Sequence, residues 1–350
     1  MCQEYETCYI SAMASLREVA SYAGVSVATA SRVVNNPDSV RPQTRDRVER
    51  AMRDLLFTVA EPIQAEKLAG LFVPDLLNPV FTHITQAIEI KAREVGWSIV
   101  LCTTGDLASA EREHAQSFFT RQITNLIFVS SAAANTAEHL PHYQALIDHG
   151  ARLLFINGKP HDLAVPAVGD DEWVAGRMSA QHVLELGHRK IGFITGVKTT
   201  SSRSHLRLSG VEDAASEYAD SKIFSINSQW GVEGGYLAAK KLIEANSEIT
   251  ALICASDLTA LGAMNYCQEQ GISVPEDISI LGSDGIDMGR WVFPSLSTIA
   301  QPMEAIANFV GLWLAEDSSI QLHTDIGTDI AFRPTLIQRN STGPVRRSRK

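Results

Sequence analysis

The chain has 350 residues, 45% of them hydrophobic and 20% charged, which allows a large buried core and excludes a disordered or low-complexity protein. No apolar run reaches the roughly 18 residues that a membrane helix needs, and the opening MCQEYETCYISA lacks the basic start and apolar stretch of an export signal. The formal charge of −10 speaks against a nucleic-acid partner in sum, but residues 14–60 carry seven arginines against five acids, so the acidic excess lies elsewhere. Five scattered cysteines (Cys2, Cys8, Cys102, Cys254, Cys267) without a C-x-x-C pair read as free thiols of a reducing cytoplasm.

In chain order, residues 14–57 spell three short helices. Leu16, Val19 and Ala20 stand at helical spacing in a first helix that ends at Tyr22. Ala23-Gly24-Val25 makes the turn, and Ser26 is an N-cap for VATASRVV, which stops at Asn35-Asn36-Pro37. Pro42 opens a third helix, TRDRVERAMRDLL, with Val48, Met52 and Leu55 inward.

From Ala69 short strands alternate with longer helices: LAGLFVPDL, FTHITQAIEIKAREVG, WSIVLCTT, ASAEREHAQSFFTRQ, NLIFVSS, a helix ending LIDHG, and ARLLFIN. After Asp170 the rhythm restarts with the helix WVAGRMSAQHVLELG, the strand RKIGFITG and a helix from Arg207, and it runs on to the strand ISILGSD. Alternation of this kind predicts parallel sheets covered by helices, and two series predict two lobes. The expected fold is a small all-α helix-turn-helix head followed by an α/β two-lobed domain with parallel doubly wound sheets. The boundaries expected are a head at 14–58, a short atypical hinge at 59–69, a body at 70–340 and a basic tail at 341–350. Within the body, lobe one takes 70–169 and 300–326, and lobe two takes 170–297 and 327–340.

LREVASYAGVSVATASRVVNN has the form of helix, tight turn and recognition helix, the second helix entering the DNA major groove. Val27 and Ala28 would meet thymine methyl groups, and Arg32, one turn later, would read the O6 and N7 acceptors of a guanine. Ser26, Thr29, Ser31, Asn35 and Thr44 offer short polar groups to phosphates. On this pattern alone an ordinary helical hairpin remains an equal alternative.

AGVSVATASRVVNNP followed by TRDRVERAM resembles the head of the lactose/galactose-repressor family, in which Val27 and Ala28 match the base-reading pair and Arg32 a base contact. The resemblance continues through LAGLFVPDLLNPVF, LGHRKIGFITG, SDLTALGAM, VPEDISILGSD, PSLSTIAQP and RPTLIQRNST, in the family's order, over residues 14–341. Several of these stretches are similar to the cytidine-type repressors. The resemblance implies a periplasmic-binding-protein-like body with its ligand between the lobes, where open parallel sheets bind beyond the carboxyl ends of their strands. It also makes Met13 an alternative start to Met1.

By the same resemblance, Phe81 and Asn157 are walls of the first lobe, and Arg207 holds effector hydroxyls or carboxylates. Trp230 packs on a ring, Ser256 stands where many members carry Asn, and Asp284 accepts hydrogen bonds from effector hydroxyls. Each has a plainer reading: surface for Arg207, packing for Trp230, a cap on the next turn for Asp284. His182 and His188 fall on different helical faces, so no metal pair is expected. No cofactor is expected, and the absence of a phosphate loop, nucleophile elbow or H-E-x-x-H argues against an enzyme.

The linker LLFTVAEPIQAEKLAGLF departs from the family. Leu56 replaces a capping Gly, a Pro-Asn pair is missing, and no leucine is placed as the one that wedges into the minor groove, Ile63 and Leu68 being candidates. Arg41, rather than Ser, precedes Pro42. The expectation is a cytoplasmic, nucleoid-associated repressor. It acts as a homodimer on double-stranded operator DNA and is controlled by a sugar or, second, a nucleoside. The alternative is a sugar-binding module whose hinge impairs DNA binding.

Overall fold

The computed structural model describes residues 14–55, 57, 67–105, 107–130, 140–160, 162–196, 202–316 and 329–346. The chain divides into two compact units, Met1–Glu66 and Lys67–Lys350.

The first unit holds α1 (Leu16–Tyr22), α2 (Val27–Asn35) and α3 (Pro42–Asp54). Ser15 and Glu18 close a reciprocal capping box on α1: the Ser15 hydroxyl accepts the Glu18 N–H, and the Glu18 carboxylate accepts the Ser15 N–H at 2.6 Å. Gly24 takes the left-handed backbone (φ 64°) that the tight turn requires. The Ser26 hydroxyl then accepts the Thr29 N–H at 3.1 Å to start α2. Val19, Ala20, Ala23, Ala30, Val33, Val48 and Ala51 form the buried core. Four of these seven are alanines, so the helices pack close rather than through bulk.

The second unit is built on two sheets. Strands β1 (Lys67–Val73), β2 (Trp97–Thr103), β3 (Asn125–Val129), β4 (Arg152–Ile156) and β5 (Ala167–Asp170) belong to the first sheet. Strands β6 (Lys190–Thr195), β7 (Lys222–Asn227), β8 (Ala251–Cys254), β9 (Ser279–Asp284) and β10 (Ser297–Ala300) belong to the second. The last two strands, β11 (Asp329–Phe332) and β12 (Thr335–Ile337), add one edge to each, giving orders β11-β5-β4-β3-β1-β2 and β12-β10-β9-β8-β6-β7. All pairings are parallel except β10–β12.

Both faces of each sheet are covered, which explains why the strands read as unbroken apolar runs. In lobe one, Leu71, Ile127 and Leu154 face α4 (Pro79–Glu94) and α11 (Met303–Ala315). Phe72, Leu126, Phe128 and Phe155 face α5 (Ala108–Thr120) and α6 (Pro141–Asp148). Phe128 stacks on Phe72 at 4.6 Å and on Phe155 at 5.1 Å. In lobe two, α7 (Glu172–Glu185) and α8 (Ser202–Ser216) cover one face, while α9 (Val232–Ala245) and α10 (Asp257–Glu269) cover the other. Helices α7 and α8 cross at reciprocal glycines: a Cβ on Gly176 would strike the Arg207 carbonyl, and one on Gly210 the Trp173 carbonyl. This close approach places the start of α7 beside Arg207.

The structure corrects several expectations. Helix α8 starts at Ser202 rather than at Arg207, because the turn before Arg207 continues its helix. Leu68 lies in β1, half-buried against the lobe-one core, so it is not a hinge residue; Ile63 and the rest of the expected hinge up to residue 66 lie outside the described residues. Residues 329–332, assigned above to lobe two, form an edge of the lobe-one sheet. The basic tail is not free at its start. Ser341 and Thr342 are buried, and Ser341 donates to the Ile280 carbonyl at 2.6 Å. His182 and His188 hold the same stretch: His182 Nε2 lies 2.9 Å from Thr342 Oγ1, and His188 Nε2 lies 3.0 Å from the Gly343 carbonyl.

Candidate functional site

The outward face of α2 carries Val27, 44% exposed, with Ala28, Arg32 and Asn35 also exposed, while Ala30 and Val33 are buried on the opposite face. The fold thus brings Val27, Ala28 and Arg32 onto one surface, at the helix start and one turn later. The polar residues are partly occupied within the head. Ser26 caps the helix and lies 2.8 Å from Thr29 Oγ1, and the Asn35 amide donates to the Ser31 carbonyl at 2.9 Å. Thr44 is half-buried in the first turn of α3. Tyr22, at the end of α1, is 62% exposed.

In the second unit the expected residues converge at the carboxyl ends of the strands. Asn157 follows β4 with φ 65°, and Asp284 ends β9 with φ 120°. Asn and Asp enter positive φ more readily than other non-glycine residues, and such backbone clusters at active sites and ligand clamps. Arg207 projects from α8, all but buried, and donates to Glu172 Oε2 at 2.5 Å and to the Ala255 carbonyl at 2.6 Å. Arg203, one turn earlier, bridges the lobes to Asp170 Oδ1 at 2.8 Å and also touches Glu172. Gly169 lies between them: a Cβ there would sit 2.7 Å from Asn157 Oδ1 and 3.4 Å from Arg203 Nη1. The Asn157 amide donates to Gln301 Oε1 at 3.3 Å, and the Gln301 amide donates to Asp284 at 2.8 Å. The buried Asn157 Oδ1 has no hydrogen-bond partner among the described residues.

Burial alone would raise the Asp170 carboxyl, but the Arg203 and Arg207 charges outweigh it and hold the group below its ordinary range. Burial lifts Glu172, with the same two guanidiniums opposing. Asp284 is pushed well above the usual carboxylate range by burial and by the nearby Asp257. Asp257 itself is raised to about 7 by burial, although it accepts the Ile286 N–H at 2.8 Å, the Gly285 N–H at 2.9 Å and the Thr298 hydroxyl at 2.6 Å. Asp257 therefore caps the turn after β9, which leaves the Asp284 carboxyl to Gln301.

The other expected residues are less tightly gathered. Ser256 is buried and caps α10 by accepting the Thr259 N–H at 3.1 Å. Phe81 is half-buried in the first turn of α4, against the lobe-one core. Trp230 is 53% exposed, its ring lying where a Cβ of Gly196 would be, beyond the end of β6. Asp170, Glu172, Arg203 and Gln301 were not foreseen. The four-residue step from Arg203 to Arg207 on one helix was a legible signal; the partnership with Asp170 and Glu172 was not.

A helix-turn-helix with an exposed recognition face, in one chain with two parallel-sheet lobes joined at a polar cluster, defines a DNA-binding protein with a ligand-sensing domain. Residues 15–58 match the bacterial regulatory proteins of the lacI family, and residues 180–342 match the periplasmic binding protein-like domain. An HTH-type transcriptional regulator in the aml 5′ region of Streptomyces limosus is 34% identical over 344 residues, 95% of each chain. The chain belongs to the lacI family of bacterial regulatory proteins. A lacI-family regulator from Enterococcus faecium, solved with bound ribose, superposes with a TM-score of 0.69 at 25% identity, covering 80% of this chain and 100% of that one. The lac repressor dimer bound to operator superposes at 0.75 and 23% identity, covering 95% of this chain and 100% of that one, a likeness of fold. Among the described residues no helix is long and apolar enough to cross a membrane.

Proposed function

We propose that the protein is a cytoplasmic, non-enzymatic transcriptional repressor that binds operator DNA as a homodimer and is controlled by a small metabolite between its lobes. A sugar is the first choice of effector and a nucleoside the second. The observation that carries this reading is the buried Asn157 Oδ1, without a hydrogen-bond partner among the described residues and near Arg203 and Gln301, in a chain that also exposes Val27, Ala28 and Arg32 on α2. A buried acceptor without a partner costs stability unless a ligand donor meets it. Two heads on one dimer place two recognition helices in successive major grooves. The effector acts by binding the DNA-competent and DNA-released states unequally.

The test is fluorescence anisotropy on DNA from the protein's own upstream region, with and without a panel of sugars and nucleosides. Arg32→Ala is expected to weaken specific binding by about 1–3 kcal/mol. One panel member is expected to shift the wild-type titration, and Asn157→Ala to abolish that shift. Equal, weak binding to scrambled DNA, unchanged by Arg32→Ala, would leave only a metabolite-binding module.

A further inference from the structure

We propose that Glu172 is the residue that sets the charge selectivity of the cleft: it neutralises the two-arginine face of α8, so that anionic metabolites are refused and uncharged or hydroxyl-rich ones admitted. This rests on the reading of the cleft as the effector site.

Arg203 and Arg207 stand four residues apart on one helix and so point the same way. Two adjacent, largely buried guanidiniums make a strong site for phosphate or carboxylate, because their forked donors fit such oxygens in pairs. Here part of each fork is taken: Arg203 Nη2 meets both carboxylates, Arg207 Nε meets Glu172, and Arg207 Nη1 meets the Ala255 carbonyl. Glu172 touches both arginines, Asp170 lies 2.8 Å from Arg203, and Asp170 comes no nearer than 4.0 Å to Arg207. Two cations thus face two anions within the cluster.

The two carboxylates are not equivalent. Asp170 ends a strand of lobe one and ties the lobes together through Arg203. Glu172 opens α7 within lobe two, and it accepts the Arg207 Nε–H, at 2.5 Å. With Glu172 neutral, the Arg207 Nε–H would lose its charged acceptor while Nη1 kept the Ala255 carbonyl, and the cluster would carry one excess positive charge. With Arg203 neutral, the excess would be negative. In a site of low dielectric, one uncompensated charge is enough to reverse which ligands are tolerated.

The experiment uses the full chain and isothermal titration, with inorganic phosphate as the anion probe and glucosamine against glucose as the cation probe. Folding of each variant is checked by circular dichroism and its melting midpoint. Wild type is expected to bind phosphate weakly, Glu172→Gln at least about tenfold more tightly, and Glu172→Gln/Arg203→Gln to fall back to the wild-type value. Arg203→Gln moves the cluster the other way and is expected to raise the glucosamine-to-glucose affinity ratio by a similar factor. A folded Glu172→Gln protein whose phosphate affinity stays at the wild-type level overturns the proposal. An Arg203→Gln protein whose ratio does not rise overturns it equally, even where Glu172→Gln fails to fold. Failure of the effector reading is seen separately, as a wild type that binds no member of the sugar and nucleoside panel.

Discussion

Replacing Arg207 by alanine tests whether the α7–α8 ion cluster is as interdependent as it is drawn. The substitution removes donors to Glu172 at 2.5 Å and to the Ala255 carbonyl at 2.6 Å, and the approach to Asp170 at 4.0 Å. Breaking a buried ion pair by deleting one partner costs about 3–5 kcal/mol, because the survivor stays buried without its counter-charge. Arg203 still touches both Glu172 and Asp170, which places the loss at the lower end, about 3 kcal/mol. For a domain of this size that corresponds to a fall in melting midpoint of about 6 °C. The comparison is Arg177→Ala, whose partners Asp213 and Glu217 are 47% and 52% exposed, so that solvent replaces what is lost. Differential scanning fluorimetry and urea unfolding of the full chain report both. Adding Glu172→Ala to Arg207→Ala should recover part of the loss, since the unpaired carboxylate is then gone. An Arg207→Ala midpoint no lower than that of Arg177→Ala refutes the reasoning.

Further outcomes follow from the same structure. Burial lowers the affinity of His182 and His188 for protons below the ordinary value of 6.5, so their neutral forms favour the folded state. Their contribution is present above the unfolded value and is lost as pH falls through the folded one, while the raised carboxyls of Asp257 and Asp284 act the opposite way; the readout is therefore a difference, and the wild-type midpoint should fall relative to that of His188→Gln as pH drops below about 6.5. Gly196→Ala should push the Trp230 ring aside, visible as a changed tryptophan emission and weaker effector binding, while the melting midpoint stays close to wild type. Gly210→Ala sets a methyl against the Trp173 carbonyl, a backbone atom that cannot yield, and should cost about 1–3 kcal/mol by urea unfolding.

Local chemistry made the head legible. Ser26 before an apolar run, Gly24 in the turn and Pro42 at a helix start each act over a few residues, and α1, α2 and α3 form where those signals stand. The two lobes were legible for a related reason: strands covered on both faces must be apolar throughout, so NLIFV and RLLFI announce themselves. Arg207, Asn157 and Asp284 could be named from the family's motifs because each sits at a fixed offset from a strand end or a glycine.

What only the tertiary structure decided is who answers them. Glu172 meets Arg207 because α7 and α8 cross at Gly176 and Gly210, and Asp170 meets Arg203 because β5 is the strand on which the chain leaves lobe one. The placing of β11 in the first sheet and of Ser341 and Thr342 in the core of lobe two likewise depends on partners far away in sequence. Periodicity tells which side of an element is buried, but ion pairs and edge strands are settled by which elements the topology makes neighbours, and that information is not local.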